Sequence, residues 1–389
     1  ELSLDGGLKK TQGILSMAMK ALDEKLVTVF TSSENIALLH YIDTIASYGA
    51  RTLEDIVQVL IKPDSYTVED ISTNSEDKTY SSIDYKDVHG QELSKRAMII
   101  VATGLHHVMM TGPPGAGKTM LAERLPTILP DMSWDERLET TRIHDVAGLL
   151  EKNTLISRRP FRGPHHTATL ASIIGGGSNA KPGEITLAHN GVLFIDEAPE
   201  FPRFILDALR QPLESHTITV NRLQNSYEYP AKFICVLAAN PCPCGYYGDP
   251  HKECVCSSTE FMKYQNKISG PILDRIDLYI SVERPSFKDM LLINEDSLSS
   301  SDMKDLVERG RNIQLERFKD CTFKTNGSMP HRAIRELCNI QDDCWNLLSD
   351  VYERFHFTGR SFDRLLKVSR TIADMDGSLY VEKEHISEA

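Results

Sequence analysis

Gly112-Pro113-Pro114-Gly115-Ala116-Gly117-Lys118-Thr119 fills every fixed position of G-x-x-x-x-G-K-[ST]. The run before it, Val108-Met109-Met110, is short and apolar, as a buried strand is. The run after it, Met120-Leu121-Ala122-Glu123-Arg124-Leu125, suits a helix. Strand, glycine loop and helix in that order make a phosphate cradle. The glycines let backbone N–H groups curl around phosphate oxygens, and the helix N-terminus adds its dipole. Residues 112–117 then line the nucleotide, Lys118 reaches the β- and γ-phosphates, and Thr119 binds Mg²⁺. ATP and Mg²⁺ are the expected ligands.

Downstream, Gly191-Val192-Leu193-Phe194-Ile195-Asp196-Glu197 reads as a buried central strand with two carboxylates at its C-terminal end. Ligands bind at that end in open α/β sheets. Asp196 is expected in the Mg²⁺ shell, and Glu197 as the group that orients and deprotonates the attacking water. A third apolar run, Phe233 to Ala239, ends in Asn240. That amide is placed to position the water or touch the γ-phosphate; an Asn before Pro241 is also a common way to start a turn.

Around these motifs the chain divides. Residues 1–62 read as strand, helix, strand, helix, and the chain opens on an apparent strand. Residues 63–82 are polar, acidic and turn-rich, and read as a linker. Residues 83–285 alternate strand and helix, which argues a parallel sheet. Residues 286–389 turn helical, with amphipathic runs at Asp302–Phe318 and Phe362–Met375, and look like a small lid domain.

The chain has 389 residues, room for two or three domains, and it begins at Glu1 rather than Met, so it reads as part of a longer protein. A net charge of −12 argues against a broadly basic nucleic-acid surface, though not against a local one. Arg158, Arg159, Arg162 and Lys181 form a basic section. No apolar run is long enough to cross a bilayer, so no membrane partner is expected. Eight cysteines in a chain this long do not make a disulfide framework, and a reducing, cytoplasmic setting fits better. Cys242-x-Cys244 and Cys254-x-Cys256 lie close together around His251. Four soft ligands suggest a structural, tetrahedral Zn²⁺; reduced thiols or one disulfide are the alternatives, since the commoner C-x-x-C spacing is absent.

The order of P-loop, acidic strand, Asn strand and helical tail resembles an AAA+ ATPase. Asp87-Val88-His89-Gly90-Gln91 ahead of the P-loop resembles the magnesium-chelatase-type members. Arg159-Pro160-Phe161-Arg162-Gly163-Pro164-His165-His166-Thr167, Gly175-Gly176-Gly177, Lys181-Pro182-Gly183-Glu184 and Asn240-Pro241-Cys242-Pro243-Cys244-Gly245-Tyr246-Tyr247 resemble the YifB/ComM group among them. The fold implied is α/β: an AAA+ P-loop parallel sheet with a helical lid domain, plus a partial Lon-protease-like (S5-type) α+β segment at the N-terminus. That segment lacks the protease's catalytic groups, because the catalytic lysine would fall near Leu15, so no peptidase activity is expected.

The resemblance also implies roles for two arginines. Arg275, in Leu273-Asp274-Arg275-Ile276-Asp277, falls at the arginine finger that reaches a neighbouring subunit's γ-phosphate, and Arg360 falls at the lid-domain sensor arginine. A finger supplied in trans requires an oligomer, expected as a hexameric ring. Two insertions match pore hairpins of related helicases. One is flanked by Ile173-Ile174 and Glu184–Leu187 and carries Lys181; the other runs from Thr217 to Tyr229 and carries Arg222. Cations on hairpin tips can follow a single-stranded or branched DNA backbone without reading its sequence. The function implied is an ATP-driven ring motor on DNA, promoting branch migration in recombination during natural transformation. The alternatives are a magnesium-chelatase-type subunit that remodels a partner protein, and a nucleotide-gated scaffold that barely turns over.

Overall fold

The computed structural model describes residues 1–62, 83–150, 153–177, 180–221, 226–287 and 297–389. The expected linker at 63–82 and Arg222 lie outside the described residues. The described chain forms two compact units: Ser81–Asp131, Arg159–Gly175 and Glu184–Ala389 make the larger, and Glu1–Tyr80, Met132–Arg158 and Gly176–Gly183 the smaller.

The larger unit is built on five parallel strands. In chain order they are β1 (Val108–Thr111), β2 (Phe161–Arg162), β3 (Val192–Ile195), β4 (Ile234–Ala239) and β5 (Leu278–Ser281). Their order across the sheet is β5-β1-β4-β3-β2. β3 and β4 are apolar and buried throughout because both their faces are covered. Val108, Met110, Val192, Phe194, Val236 and Ala238 pack into one core with the helices Glu92–Gly104 and Lys118–Ile128. Leu193, Ile195, Cys235 and Leu237, one residue out of phase, pack into a second core with Ile205, Leu206, Ile272 and Ile276.

Insertion of β4 between β1 and β3 sets the site. The Asn240 tip emerges between the P-loop after β1 and the carboxylates after β3.

The C-terminal helices Ser300–Arg317, His331–Leu337, Cys344–Arg354, Gly359–Met375 and Lys383–Glu388 enclose their own core of Phe318, Met329, Ile334, Leu348, Leu366 and Ile386. Ser299 and Thr358 start two of these helices, their hydroxyls accepting from the N–H groups of Asp302 and Ser361. Arg370 is fully buried there. It donates to Asp374 Oδ1 at 3.0 Å and to the carbonyls of Cys338 and Leu379 at 3.2 and 2.9 Å.

In the smaller unit, Thr28–Ser32 pairs in parallel with Ala46–Ala50, beside the helices Ile14–Asp23, Leu53–Ile61 and Trp134–Ala147. The expected opening strand is absent. Gly6, at φ +83°, turns the chain so that Leu2 meets Leu8 in a single antiparallel bridge. Leu15 is fully buried among Ile14, Ala18, Leu38 and Leu39.

The expected first hairpin is present in a shortened form. Its flanks are helices, Leu170–Ile174 and Glu184–Leu187, and the two-residue strands Gly175–Gly176 and Lys181–Pro182 pair between them. Thr169 caps the first of these helices, accepting from Ser172 N–H. Ile173 and Ile185 enter the second core of the larger unit. Two adjacent apolar residues carry no period, so such short runs do not separate strand from helix. The second insertion pairs antiparallel, from Thr217–Pro230 to Asn221–Ser226. Among the described residues no helix is long and apolar enough to cross a membrane.

Candidate nucleotide site

The P-loop is shaped by backbone demands that only glycine meets. Gly112 lies so close to β5's end that a Cβ would sit 2.2 Å from the Val282 carbonyl oxygen. Gly115 and Gly117 hold φ +76° and +91°, and Gly117 precedes the helix Lys118–Ile128. Gln91, from the motif ahead of the P-loop, donates through Nε2 to the Ala116 carbonyl at 2.5 Å and to the Glu283 carbonyl at 3.2 Å. It ties the loop to the chain beyond β5.

Lys118 is buried, and its ammonium donates to the carbonyls of Gly112 and Pro113 at 2.6 and 3.1 Å and to Asn240 Oδ1 at 3.2 Å. Burial lowers its pKa, and the carboxylates of Asp196 and Glu197 work against that shift. Thr119 Oγ1 donates to Asp196 Oδ2 at 3.0 Å. A hydroxyl and a carboxylate side by side beneath a phosphate loop fit the donor set for Mg²⁺, a hard cation that prefers oxygen ligands. Asp196 Oδ1 accepts from the Glu197 N–H at 2.9 Å.

Glu197 has φ +50°, uncommon for a residue with a side chain, and its carboxylate is exposed. His166 Nδ1 lies 3.8 Å from Glu197 Oε2, and the His166 ring packs on His165 with centroids 4.1 Å apart. His166 is a functional candidate that residue patterns did not single out. Its one signal was the His-His pair inside the Arg159–Thr167 run.

Arg275 and Arg360 meet elsewhere. Arg275 donates to the Pro271 carbonyl at 2.7 Å and pairs with Glu214, and Arg360 lies 3.6 Å from the same carboxylate. Arg275 is the first of the causes that hold the Glu214 pKa below the usual range. Among the described residues no hydrogen bond or ion pair joins either arginine to Lys118, Asp196 or Glu197 of the same chain. Glu214 is mostly exposed while Arg275 is largely buried, so water screens the pair from the Glu214 side and a more highly charged partner can compete for the guanidinium.

Other basic residues are engaged or exposed. Arg159 donates to the carbonyls of Pro130 and Asn190 at 2.6 and 2.8 Å, and Arg162 forms a two-pronged pair with Glu184 at 2.5 and 2.7 Å. Lys181 is exposed on its short strand.

Cys242, Cys244, Cys254 and Cys256 converge, with all four sulfurs within 4.8 Å of one another. The Cys242 sulfur is 3.3 Å from Cys244 and 3.6 Å from Cys254. No disulfide joins these four cysteines in this structure. Zn–S bonds of about 2.3 Å require sulfurs about 3.8 Å apart at tetrahedral angles, close to this spacing. Backbone N–H groups already face the sulfurs: Tyr247 N donates to Cys242 and Cys244 N to Cys256, at 3.3 and 3.4 Å. The Tyr246 N–H draws the Cys244 thiol down to about 6. The donor set fits a soft cation, and His251 is not part of it.

The family described as magnesium chelatase, subunit ChlI, matches residues 84–290, and its C-terminal part matches residues 297–389. The chain is 36% identical over 397 residues to the competence protein ComM of Haemophilus influenzae, a match covering 100% of this chain and 76% of that protein. It is likewise 36% identical to the YifB protein of Escherichia coli, over 100% of this chain and 75% of that one. Similarity to the magnesium-chelatase 38 kDa subunit of Rhodobacter capsulatus is lower: 27% over 181 residues, 42% of this chain and 52% of that subunit.

Proposed function

The chain belongs to the magnesium-chelatase ChlI family, among its ComM/YifB-like members, and from that premise we propose that it is an ATP-hydrolysing ring motor acting on DNA. The observation that carries this reading is the convergence of Lys118, Thr119, Asp196, Glu197 and Asn240 at the adjacent ends of β1, β4 and β3. Residues 112–117 and Lys118 bind the phosphates of ATP. Thr119 and Asp196 would hold Mg²⁺, which supplies charge neutralisation at the β- and γ-phosphates. Glu197 takes the proton of the attacking water, and Asn240 orients that water between Lys118 and Glu197. Cys242, Cys244, Cys254 and Cys256 would hold a structural Zn²⁺ with no part in the reaction.

Arg275 acts on the nucleotide of an adjoining subunit, which makes the working form an oligomer, a hexameric ring, and Arg360 senses the nucleotide from the lid helices. Such fingers are worth about 10³ to 10⁵ in rate. Lys181 and Arg222 grip the DNA backbone without reading sequence. The biological step is branch migration during recombination of incoming DNA, a reading supported by the similarity to ComM. The alternative, an ATPase subunit that remodels a partner protein, is favoured by the similarity to the chelatase subunit of Rhodobacter capsulatus.

ATPase rate with and without single-stranded, duplex and four-way-junction DNA separates the two. Stimulation that fades as salt rises is expected of the motor. DNA without effect on the rate, together with no measurable DNA affinity, would favour the remodelling subunit. Arg222→Ala should weaken DNA binding about uniformly across sequences and lower its salt slope by about one; unchanged affinity would remove that residue from the DNA path.

A further inference from the structure

The cysteine loop is fastened to the P-loop at three points, which its role as a brace does not require. First, it starts at Asn240, whose side chain accepts from Lys118 at 3.2 Å. Second, Gly245, at φ +84°, lies against Pro114: a Cβ there would come within 2.6 Å of the Pro114 ring. The Gly245 N–H donates to the Cys242 carbonyl at 2.9 Å, so this contact sits in the turn that carries the ligands Cys242 and Cys244. Third, Arg284 donates to the Pro114 carbonyl at 3.4 Å while lying 5.5 Å from the Tyr246 ring centre and 3.9 Å from Asp249 Oδ2. Tyr246 and Asp249 belong to the cysteine loop, so Arg284 spans both loops.

We propose that a single Zn²⁺ on Cys242, Cys244, Cys254 and Cys256 is the clamp that positions the P-loop, through Gly245 against Pro114 and Asn240 against Lys118. This rests on the reading of residues 112–119 as the ATP site. The cysteines are ligands, and Gly245 is a positioning residue that touches no reacting atom. Without the metal, the turn from Cys242 to Tyr247 loses the bonds that join it to Cys254 and Cys256, and Gly245 is held less firmly against Pro114. Pro114 and the Lys118 ammonium then sample positions away from the phosphates, and nucleotide affinity falls. The step is non-covalent: the thiols lose protons to solvent as the metal binds and regain them when it leaves.

The test uses the whole chain and reads two quantities, metal content and affinity for a slowly hydrolysed ATP analogue. The wild type should carry about one zinc per chain. Cys254→Ser with Cys256→Ser should lose the zinc and bind nucleotide about tenfold or more weakly. Gly245→Ala should keep its zinc yet weaken nucleotide binding to a similar extent, because its methyl drives into Pro114. Gly248→Ala is the control. Gly248 has nearly the same backbone strain, φ +79°, in the same loop, but nothing lies within 4 Å of a Cβ there. It should keep both zinc and affinity.

Zinc-free wild type, or iron in place of zinc, overturns the metal assignment. Gly245→Ala with wild-type affinity overturns the clamp, as does equal weakening by Gly248→Ala. Lys118→Ala tells these failures apart from failure of the ATP-site reading itself: if it binds the analogue as the wild type does, the site lies elsewhere.

Discussion

Glu197 occupies a left-handed backbone conformation whose cost is about 1–3 kcal/mol for a residue with a side chain. The cost is borne because its N–H is held by Asp196 Oδ1 and its carbonyl by Glu200 N–H at 2.7 Å. The turn leaves the carboxylate exposed, with His166 Nδ1 3.8 Å from it. Strain at such a point is expected where a side chain must face a reacting group. Glu197→Gln keeps shape and backbone but cannot take a proton. It should retain ATP binding while kcat falls by about 10²–10⁴; hydrolysis at the wild-type rate would refute the assignment. That Thr119 would meet Asp196, and Lys118 Asn240, was legible in the residues, because strand, glycine loop and acidic strand place them at adjacent strand ends. Glu214 and His166 were not, since a lone carboxylate or imidazole acquires meaning only when folding brings its partner near.

Among the elements, the strands with runs of four or more apolar residues could be read directly, because burial on both faces removes polar positions from them. Short segments could not. Ile173-Ile174 and Glu184–Leu187 became helices, and the first residues became a turn around Gly6. Buried polar networks escaped the reading too. On the helix Gly359–Met375, Arg370 and Asp374 are both fully buried and paired, with Arg317 adding a second contact to Asp374. Asp374→Ala leaves Arg370 charged and without its counter-ion, and should cost about 3–5 kcal/mol in unfolding free energy. A chemical-denaturation midpoint equal to the wild type's would contradict this.

The segment entering β1 carries a pH response. Burial holds His107 neutral, with its pKa pushed down to about 4 although Asp277 works to raise it. In the unfolded chain it protonates near 6.5. Its contribution is therefore complete above about pH 6.5 and is lost as pH falls towards 4, amounting to about 3 kcal/mol at most. Asp277 acts lower. Burial would raise its pKa, but His106 holds it down to about 2, so its contribution disappears only below about pH 3.8. Thermal midpoints should drop between pH 6.5 and 4; a flat profile there would show that His107 titrates normally.

At the scale of the whole molecule, β4 lies between β1 and β3 and brings Asn240 between Lys118 and Asp196; on the proposed reading one chain then supplies every group around the phosphates except the arginine. The strand order is not written in any local run. It follows from which strands the connecting helices allow to meet, so only the alternation of strands and helices could be read beforehand. Arg275 rests on Glu214 in a partly exposed pair, a weak hold that a neighbour's γ-phosphate can outcompete. The account's central claim is thus one of assembly: an ATP site with Glu197 from one subunit and Arg275 from the next. Mixing two inactive variants tests it. Glu197→Gln subunits keep their arginine, and Arg275→Ala subunits keep their carboxylate, so mixed oligomers contain some complete sites. The mixture should regain ATPase activity that neither variant has alone. A mixture as inactive as its parts, under conditions where the two variants demonstrably co-assemble, would contradict the account.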